Sequence, residues 1–231
     1  MVKEWTALER LMTRYFPEEH KPTMGSSIIE ICLPFSCQCS TFLYETLANL
    51  ILPTNLHGCD THCVLLDCGG EFTPLKLFRH LQKRTNREVS DNDIPEILSR
   101  LHVIELHSNR ELTLSLYALR QTLEQYSVRI VFLHNINAFV DMEKITCKIA
   151  KISSVEQSIW FGLLKRLIHG YGLLCFATKR SHICSADETS GSFLYAESMT
   201  STWAKHVTHK IEFVDCSTKF KSYYRSGSSL L

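Results

Sequence analysis

The chain has few glycines and prolines, no long apolar run and no excess of one charge. Nine glycines and six prolines among 231 residues exclude a collagen-like or low-complexity protein. No apolar stretch approaches the roughly 18–20 residues that a membrane-spanning helix needs. The N-terminal stretch carries charges throughout, unlike a secretory signal. We therefore expect a cytosolic or nuclear protein without a membrane partner.

Charge is balanced, with 25 Lys and Arg against 24 Asp and Glu, so the formal net charge is +1 at pH 7. No global positive field attracts nucleic acid or an anionic membrane surface, and any contact with DNA would depend on local basic clusters. The apolar fraction of 45% is that of an ordinary globular protein. The length suits one α/β domain with a sizeable core.

The ten cysteines contain no C-x-x-C pair. The nearest approach to a zinc site combines Cys37, Cys39, Cys59 and Cys63 with neighbouring histidines, but the spacing of Cys37 and Cys39 is poor for two ligands of one metal. We predict reduced thiols, as in intracellular proteins, and no metal.

Apolar runs alternate with amphipathic stretches along the chain, which predicts a doubly wound α/β fold with a mostly parallel sheet. Strands are predicted at 27–33, 62–67, 101–106, 128–134, 172–178 and 208–214. Helices are predicted near 41–51, 73–84, 92–100, 109–126 and 155–169. The stretches 141–154 and 179–203 are predicted to be irregular loops that follow strand ends.

Three parts are predicted: an N-terminal helix and linker (1–23), a core domain (24–215) and a tail (216–231). Trp5, Leu8 and Leu11 recur at helical spacing in the first part. Two interpretations stay open for them: a cap on the edge of the sheet, or an arm that docks on a partner.

The stretch "LPFSCQCST" (33–41) lies between a predicted strand and helix, where a phosphate loop G-x-x-x-x-G-K-[ST] would lie. Leu33 and Gln38 occupy the glycine positions, Cys39 the lysine position, and only Ser40 keeps its type. Side chains block the close backbone approach that the glycines allow. Cys39 also forfeits a charge-assisted hydrogen bond, worth roughly 1.5–3 kcal/mol.

Two further positions depart from an ATPase. The strand 128–134 ends in His134, where an acid that positions Mg²⁺ would stand, and imidazole is a poor ligand for this oxygen-preferring ion. Asp67 ends the strand 62–67, and Gly69 occupies the place of a water-activating glutamate, with Glu71 two residues further on. We therefore predict a degenerate nucleotide site (Leu33, Gln38, Cys39, Ser40, Asp67, His134), no catalytic residues, and neither ATP nor Mg²⁺ as a cofactor.

The order of these motifs resembles the core of RecA-like recombinases. The phrase D-x-x-G-x-F-x-P-x-x-L is present at Asp67, Gly70, Phe72, Pro74 and Leu77. Within that group the chain is most similar to the eukaryotic recombinase paralogues. The similar text lies at Leu133–Phe139, Cys175–Arg180 and Trp203–Phe213, and the resemblance covers about residues 25–215.

The resemblance implies a RecA-like P-loop ATPase core with helices on both faces of the sheet. It also implies a nuclear role in homologous recombination repair of double-strand breaks, within a complex of paralogues that assists recombinase assembly on single-stranded DNA. Because the nucleotide site is degenerate, we expect a non-catalytic scaffold, a pseudo-ATPase. The implied partners are other recombinase paralogues and, through the complex, single-stranded or junction DNA.

The two irregular stretches correspond to the loops that face DNA in such folds. Candidate DNA contacts are Lys144, Lys148, Lys151, Lys179 and Arg180 for phosphates, and Tyr195 or Trp203 for stacking on bases. The alternative is a solvated loop with ordinary surface lysines.

Two other functions compete with the scaffold. One is an active P-loop NTPase or small-molecule kinase with an atypical phosphate loop. The other is a cysteine-rich metal or redox protein, which an analysis of bound zinc would exclude.

Overall fold

The structure, a computed structural model, describes residues 12–34, 40–85, 89–90, 92–139, 150–187, 192–196, 199–213, 220–226 and 229–230. The strands of this part are β1 Ile28–Pro34, β2 Cys63–Asp67, β3 Leu101–Glu105, β4 Ile130–His134, β5 Leu174–Asp187, β6 Ser192–Ala196, β7 His209–Phe213, β8 Phe220–Ser226 and β9 Ser229–Leu230. The helices are α1 Ser40–Ile51, α2 Pro74–Arg84, α3 Ile94–Leu98, α4 Asn109–Gln125, α5 Ala150–Tyr171 and α6 Ser201–His206.

The strands form one sheet in the order β3-β2-β4-β5-β1-β7-β8-β9, and β6 pairs with β5. The six strands from β3 to β7 are parallel, whereas β8 and β9 are antiparallel additions at one edge. The predicted mostly parallel α/β sheet is thus confirmed. The continuous apolar runs are explained by burial on both faces, since every residue of β2 and β4 is buried.

Helices cover both faces of the sheet. Leu47 of α1, Leu77 of α2 and Ile97 of α3 belong to one core layer. Leu116 of α4 and Leu164 of α5 belong to the other. None of the helices in the described part is long and apolar enough to cross a membrane.

Local sequence explains where the helices begin. Ser108 caps α4 by accepting a hydrogen bond from the backbone N–H of Glu111, whose carboxylate accepts the N–H of His107 at 2.8 Å. This is close to a capping box, which satisfies the first amides of a helix. α2 begins at Pro74, which has no N–H to satisfy.

The layering creates a topological switch point at the carboxyl ends of β2 and β4. These strands are neighbours, but the chain leaves β2 through α2 on one face and leaves β4 towards α5 on the other. In α/β sheets, ligands bind at such switch points, outside the carboxyl ends of the strands.

The structure differs from the sequence-based prediction in the segments expected to be irregular. β5 continues to Asp187 and forms an antiparallel pair with β6 inside the stretch 179–203, and α5 already begins at Ala150. β8 and β9 lie in the predicted tail and extend the sheet. β8 and the outer part of β5 mix polar and apolar residues, and β6 has only five residues, so no long apolar run marks these strands in the sequence.

Candidate functional site

Polar side chains from three strands meet at this switch point. Asp67 ends β2, His134 ends β4 and Thr178 lies in β5, where each is almost fully buried. Three neighbouring residues complete the group. We name the set Asp67, Glu71, His134, Asn135, Thr178 and Arg180 the switch-point cluster.

Asp67 organises the turn that follows β2. Its carboxylate accepts the backbone N–H of Phe72 at 2.8 Å and that of Gly69 at 3.3 Å. A Cβ atom at position 69 would lie 2.6 Å from the amide nitrogen of Asn135. The close approach of Asn135 therefore leaves little room for a side chain at position 69.

His134 is a buried, neutral imidazole. Its Nδ1 lies 2.7 Å from the hydroxyl of Thr178, which also accepts the backbone N–H of Asn135 at 2.9 Å. Burial lowers the pKa of His134, and the nearby carboxylates of Asp67 and Glu71 only partly oppose this effect. The side chain thus behaves as a hydrogen-bonded core group.

The outer surface of the cluster is an ion pair. A guanidinium nitrogen of Arg180 lies 2.5 Å from a carboxylate oxygen of Glu71, and the amide of Asn135 donates to the other oxygen at 3.4 Å. Two hydrogen bonds between the backbone of Arg180 and the side chain of Asn137, at 3.0 and 2.9 Å, fix the strand position of Arg180. Glu71 also lies 3.9 Å from His134.

These contacts limit the chemistry that the cluster can perform. The carboxylate of Asp67 is engaged by backbone amides, and that of Glu71 by Arg180 and Asn135. Among the described residues, no three His, Cys, Asp or Glu side chains are placed to share a metal ion. The geometry is that of a cluster whose polar groups bind one another.

The amino-terminal end of the predicted phosphate loop is a core position. Leu33 is 6% exposed and packs in the core layer of α1, while Ser40 begins that helix. Gln38 and Cys39 lie outside the described residues.

Two of the predicted DNA contacts lie in the interior. The ammonium of Lys179 is 3.0 Å from the carboxylate of Glu30, with both side chains about 5% exposed. The indole N–H of Trp203 donates to the other oxygen of Glu30 at 2.6 Å. Neither residue presents a surface to DNA, because Glu30 supplies a buried counter-charge that the basic pattern of the sequence did not indicate.

The other predicted binding residues are distributed as follows. Arg180 belongs to the switch-point cluster, Lys151 to α5 and Tyr195 to β6, whereas Lys144, Lys148, Trp5, Leu8 and Leu11 lie outside the described residues. The described end of the N-terminal segment packs on the core of the chain itself: the ring of Tyr15 lies 4.8 Å from that of Phe220 and 5.6 Å from that of Phe42.

Sequence reasoning missed Thr178 and the pairing of Glu71 with Arg180. The available signal was positional, since all three lie at or just after the ends of apolar strands. The carboxyl ends of parallel strands meet at one edge. The Glu71–Arg180 pair, however, spans 109 residues of chain, and no local pattern indicates it.

Comparisons with known proteins add no family to this description. No family model matches the chain, and no curated protein shows a significant match. The α/β architecture therefore stands on the structure alone, and a finer assignment is a proposal.

The buried imidazole predicts a loss of stability in acid. Folding lowers the pKa of His134 from the value of about 6.5 that an imidazole has in an unfolded chain. Below that pH the unfolded chain therefore binds a proton at this site more readily than the folded chain does. Above that pH, the ionisation of His134 should not change the free energy of unfolding. As the pH decreases from there, the free energy of unfolding should decrease by at most about 1.4 kcal/mol per pH unit from this group. Urea unfolding of wild type and His134→Asn at about pH 7.5 and 5.5 measures the difference.

The exposed His107 provides the control for this experiment. Its side chain is 69% exposed, so His107→Asn should keep the pH dependence of wild type. If His134→Asn kept it too, the imidazole would not be held neutral by burial.

Proposed function

We propose that the chain is a non-catalytic recombinase paralogue, a scaffold that acts with other paralogues in homologous recombination repair. The observation that carries the proposal is that the polar side chains of the switch-point cluster bind one another. At the edge of the sheet where a nucleotide and its metal would bind, Glu71 is paired with Arg180, and His134 is bonded to Thr178.

The placement of the sequence motifs supports a RecA-like core. β1 and α1 flank the degenerate loop, β2 ends in Asp67, and β4 ends in His134 beside it in register. The motifs of the resemblance therefore converge on one edge of a parallel sheet, as a common nucleotide site would require.

Loss of nucleotide chemistry follows from the same residues. A neutral imidazole offers no negative oxygen to Mg²⁺, and Leu33 fills a core position instead of leaving backbone free for a phosphate. An active NTPase or kinase is the alternative, and it would need Ser40 and residues of a partner to build the site together.

Co-expression and calorimetry test the proposal. The full chain is co-expressed with individual recombinase paralogues, and the phosphate-loop lysine of the partner is mutated to silence its own site. We expect a stable complex that binds single-stranded DNA and gives no heat on titration with Mg·ATP. The complex with the unmutated partner is the control for an intact preparation.

Two results would contradict it. Failure to form a complex with any recombinase paralogue would remove the scaffold. Mg·ATP binding in the micromolar range by the silenced complex would instead favour the enzyme, with a site completed by the partner.

A further inference from the structure

One face of α5 is exposed along almost its whole described length and changes character from end to end. Its members recur every three or four residues, the spacing of a single helix face, and all are exposed: Val155, Ser158, Ile159, Gly162, Lys165, Arg166 and His169. The first half is apolar and the second half is basic. No carboxylate lies on this face.

The apolar half borders an open cavity of about 600 Å³ between α5 and the start of α6. Val155 and Ile159 are 60% and 50% exposed there, and 200–202 supply the opposite, hydroxyl-bearing wall. The cavity is broadly open to solvent, so it is a shallow depression against which apolar side chains of a partner can pack.

The wall formed by α6 is firmly anchored. Trp203 is buried and packs against Phe161 of α5 at 5.6 Å between ring centroids. The backbone N–H of Thr200 donates to the side chain of Gln157 at 3.2 Å, and the hydroxyl of Thr200 caps α6. These contacts hold the α6 side of the cavity in place.

The basic half of this face contacts α6. The ammonium of Lys165 donates to Nε2 of His206 at 3.1 Å, while Nδ1 of His206 donates to the carbonyl of Thr202 at 2.8 Å. Neither contact brings a carboxylate to the ammonium of Lys165. Arg166 and Lys205 are exposed beside it.

We propose that this α5–α6 groove binds an acidic amphipathic helix of a partner protein. Apolar side chains of that helix fill the cavity beside Ile159, and carboxylates one to two turns further along pair with Lys165 and Arg166. A Cβ at Gly162 would meet nothing within 4 Å, so the surface of α5 is bare at this point and leaves room for the backbone of a partner to approach. Nucleic acid explains the basic half but not the adjoining apolar cavity.

Selection from a displayed library of helical peptides on the full chain tests the groove without a chosen sequence. We expect the selected peptides to combine apolar residues at helical spacing with acidic residues. Fluorescence anisotropy of a selected peptide should show binding at least about tenfold weaker for Ile159→Asp, since burial of one such side chain is lost. Arg166→Glu should weaken binding roughly two- to tenfold, and less at high salt.

Leu114→Asp is the matched control, because Leu114 is 56% exposed on α4 and should leave binding unchanged. Circular dichroism checks that each variant is folded. Selected peptides without acidic residues, or with equal affinity for Ile159→Asp, would overturn the proposal. So would a single-stranded oligonucleotide that binds through Arg166 and displaces the peptide, which would assign the groove to nucleic acid. Self-association abolished by Ile159→Asp would assign it to a second copy of the chain.

Discussion

Replacing Glu30 by Ala should lower the free energy of unfolding by about 3–5 kcal/mol, the cost of leaving one buried charge without its partner. Glu30 lies in β1 and is 3% exposed. Its carboxylate accepts from Lys179 at 3.0 Å and from the indole of Trp203 at 2.6 Å. The variant removes from the core the carboxylate that both the ammonium of Lys179 and the indole N–H of Trp203 contact. For a chain of this size the expected fall in Tm is roughly 2–4 °C per kcal/mol.

The double variant Glu30→Met/Lys179→Met, compared with Glu30→Met and Lys179→Met, separates two quantities. One is the destabilisation caused by removing a single member of the pair, and the other is the net contribution of the whole pair to the free energy of unfolding. Buried ion pairs contribute little net stability over well-packed apolar groups, because both charges are desolvated. We therefore expect the double variant to be more stable than either single variant in urea unfolding. A double variant that lost the sum of the two single losses would show that the two charges do not interact.

An exposed ion pair provides the comparison. Arg120 and Glu124 on α4 are 3.2 Å apart, with side chains 73% and 56% exposed. Solvent screens such a pair, so Glu124→Ala should leave the unfolding midpoint nearly unchanged.

The same pair shows where sequence reasoning ends. Lys179 follows an apolar strand and reads as a basic residue entering a loop. Its partner Glu30 reads as a polar interruption of the run "IIEICLP" in β1. Only the pairing of β1 with β5 brings them together. A lone carboxylate in a buried strand does indicate a buried counter-charge, but it does not indicate which lysine supplies it.

The parallel strands could be predicted because burial on both faces demands apolar residues at every position, as in β2 and β4. Their order in the sheet follows from how the helices distribute between two faces, which is a non-local property. The hydrogen bonds from Asp67 to the following turn are local and lie in a recognisable motif. The ion pair between Glu71 and Arg180 is not local, because it joins the segment after β2 to a residue within β5.

Leu33→Gly, which places a glycine at the first position of the predicted phosphate loop, should destabilise the chain by about 2.5–6 kcal/mol. Truncation of a buried leucine to alanine costs about 2–5 kcal/mol, and glycine in a strand adds roughly 0.5–1 kcal/mol. Leu33 is 6% exposed in the core layer of α1, so the first glycine position now belongs to the core. Urea unfolding of Leu33→Ala and Leu33→Gly gives the two contributions separately.

Leu114→Ala is the matched control, since the same truncation at an exposed helix position should change stability by no more than about 0.5 kcal/mol. A small effect of Leu33→Gly would show that β1 tolerates a glycine at this point. A large effect would show that the packing of Leu33 is required for the fold, so that a backbone open to a phosphate at position 33 would first require the core layer of α1 to be repacked.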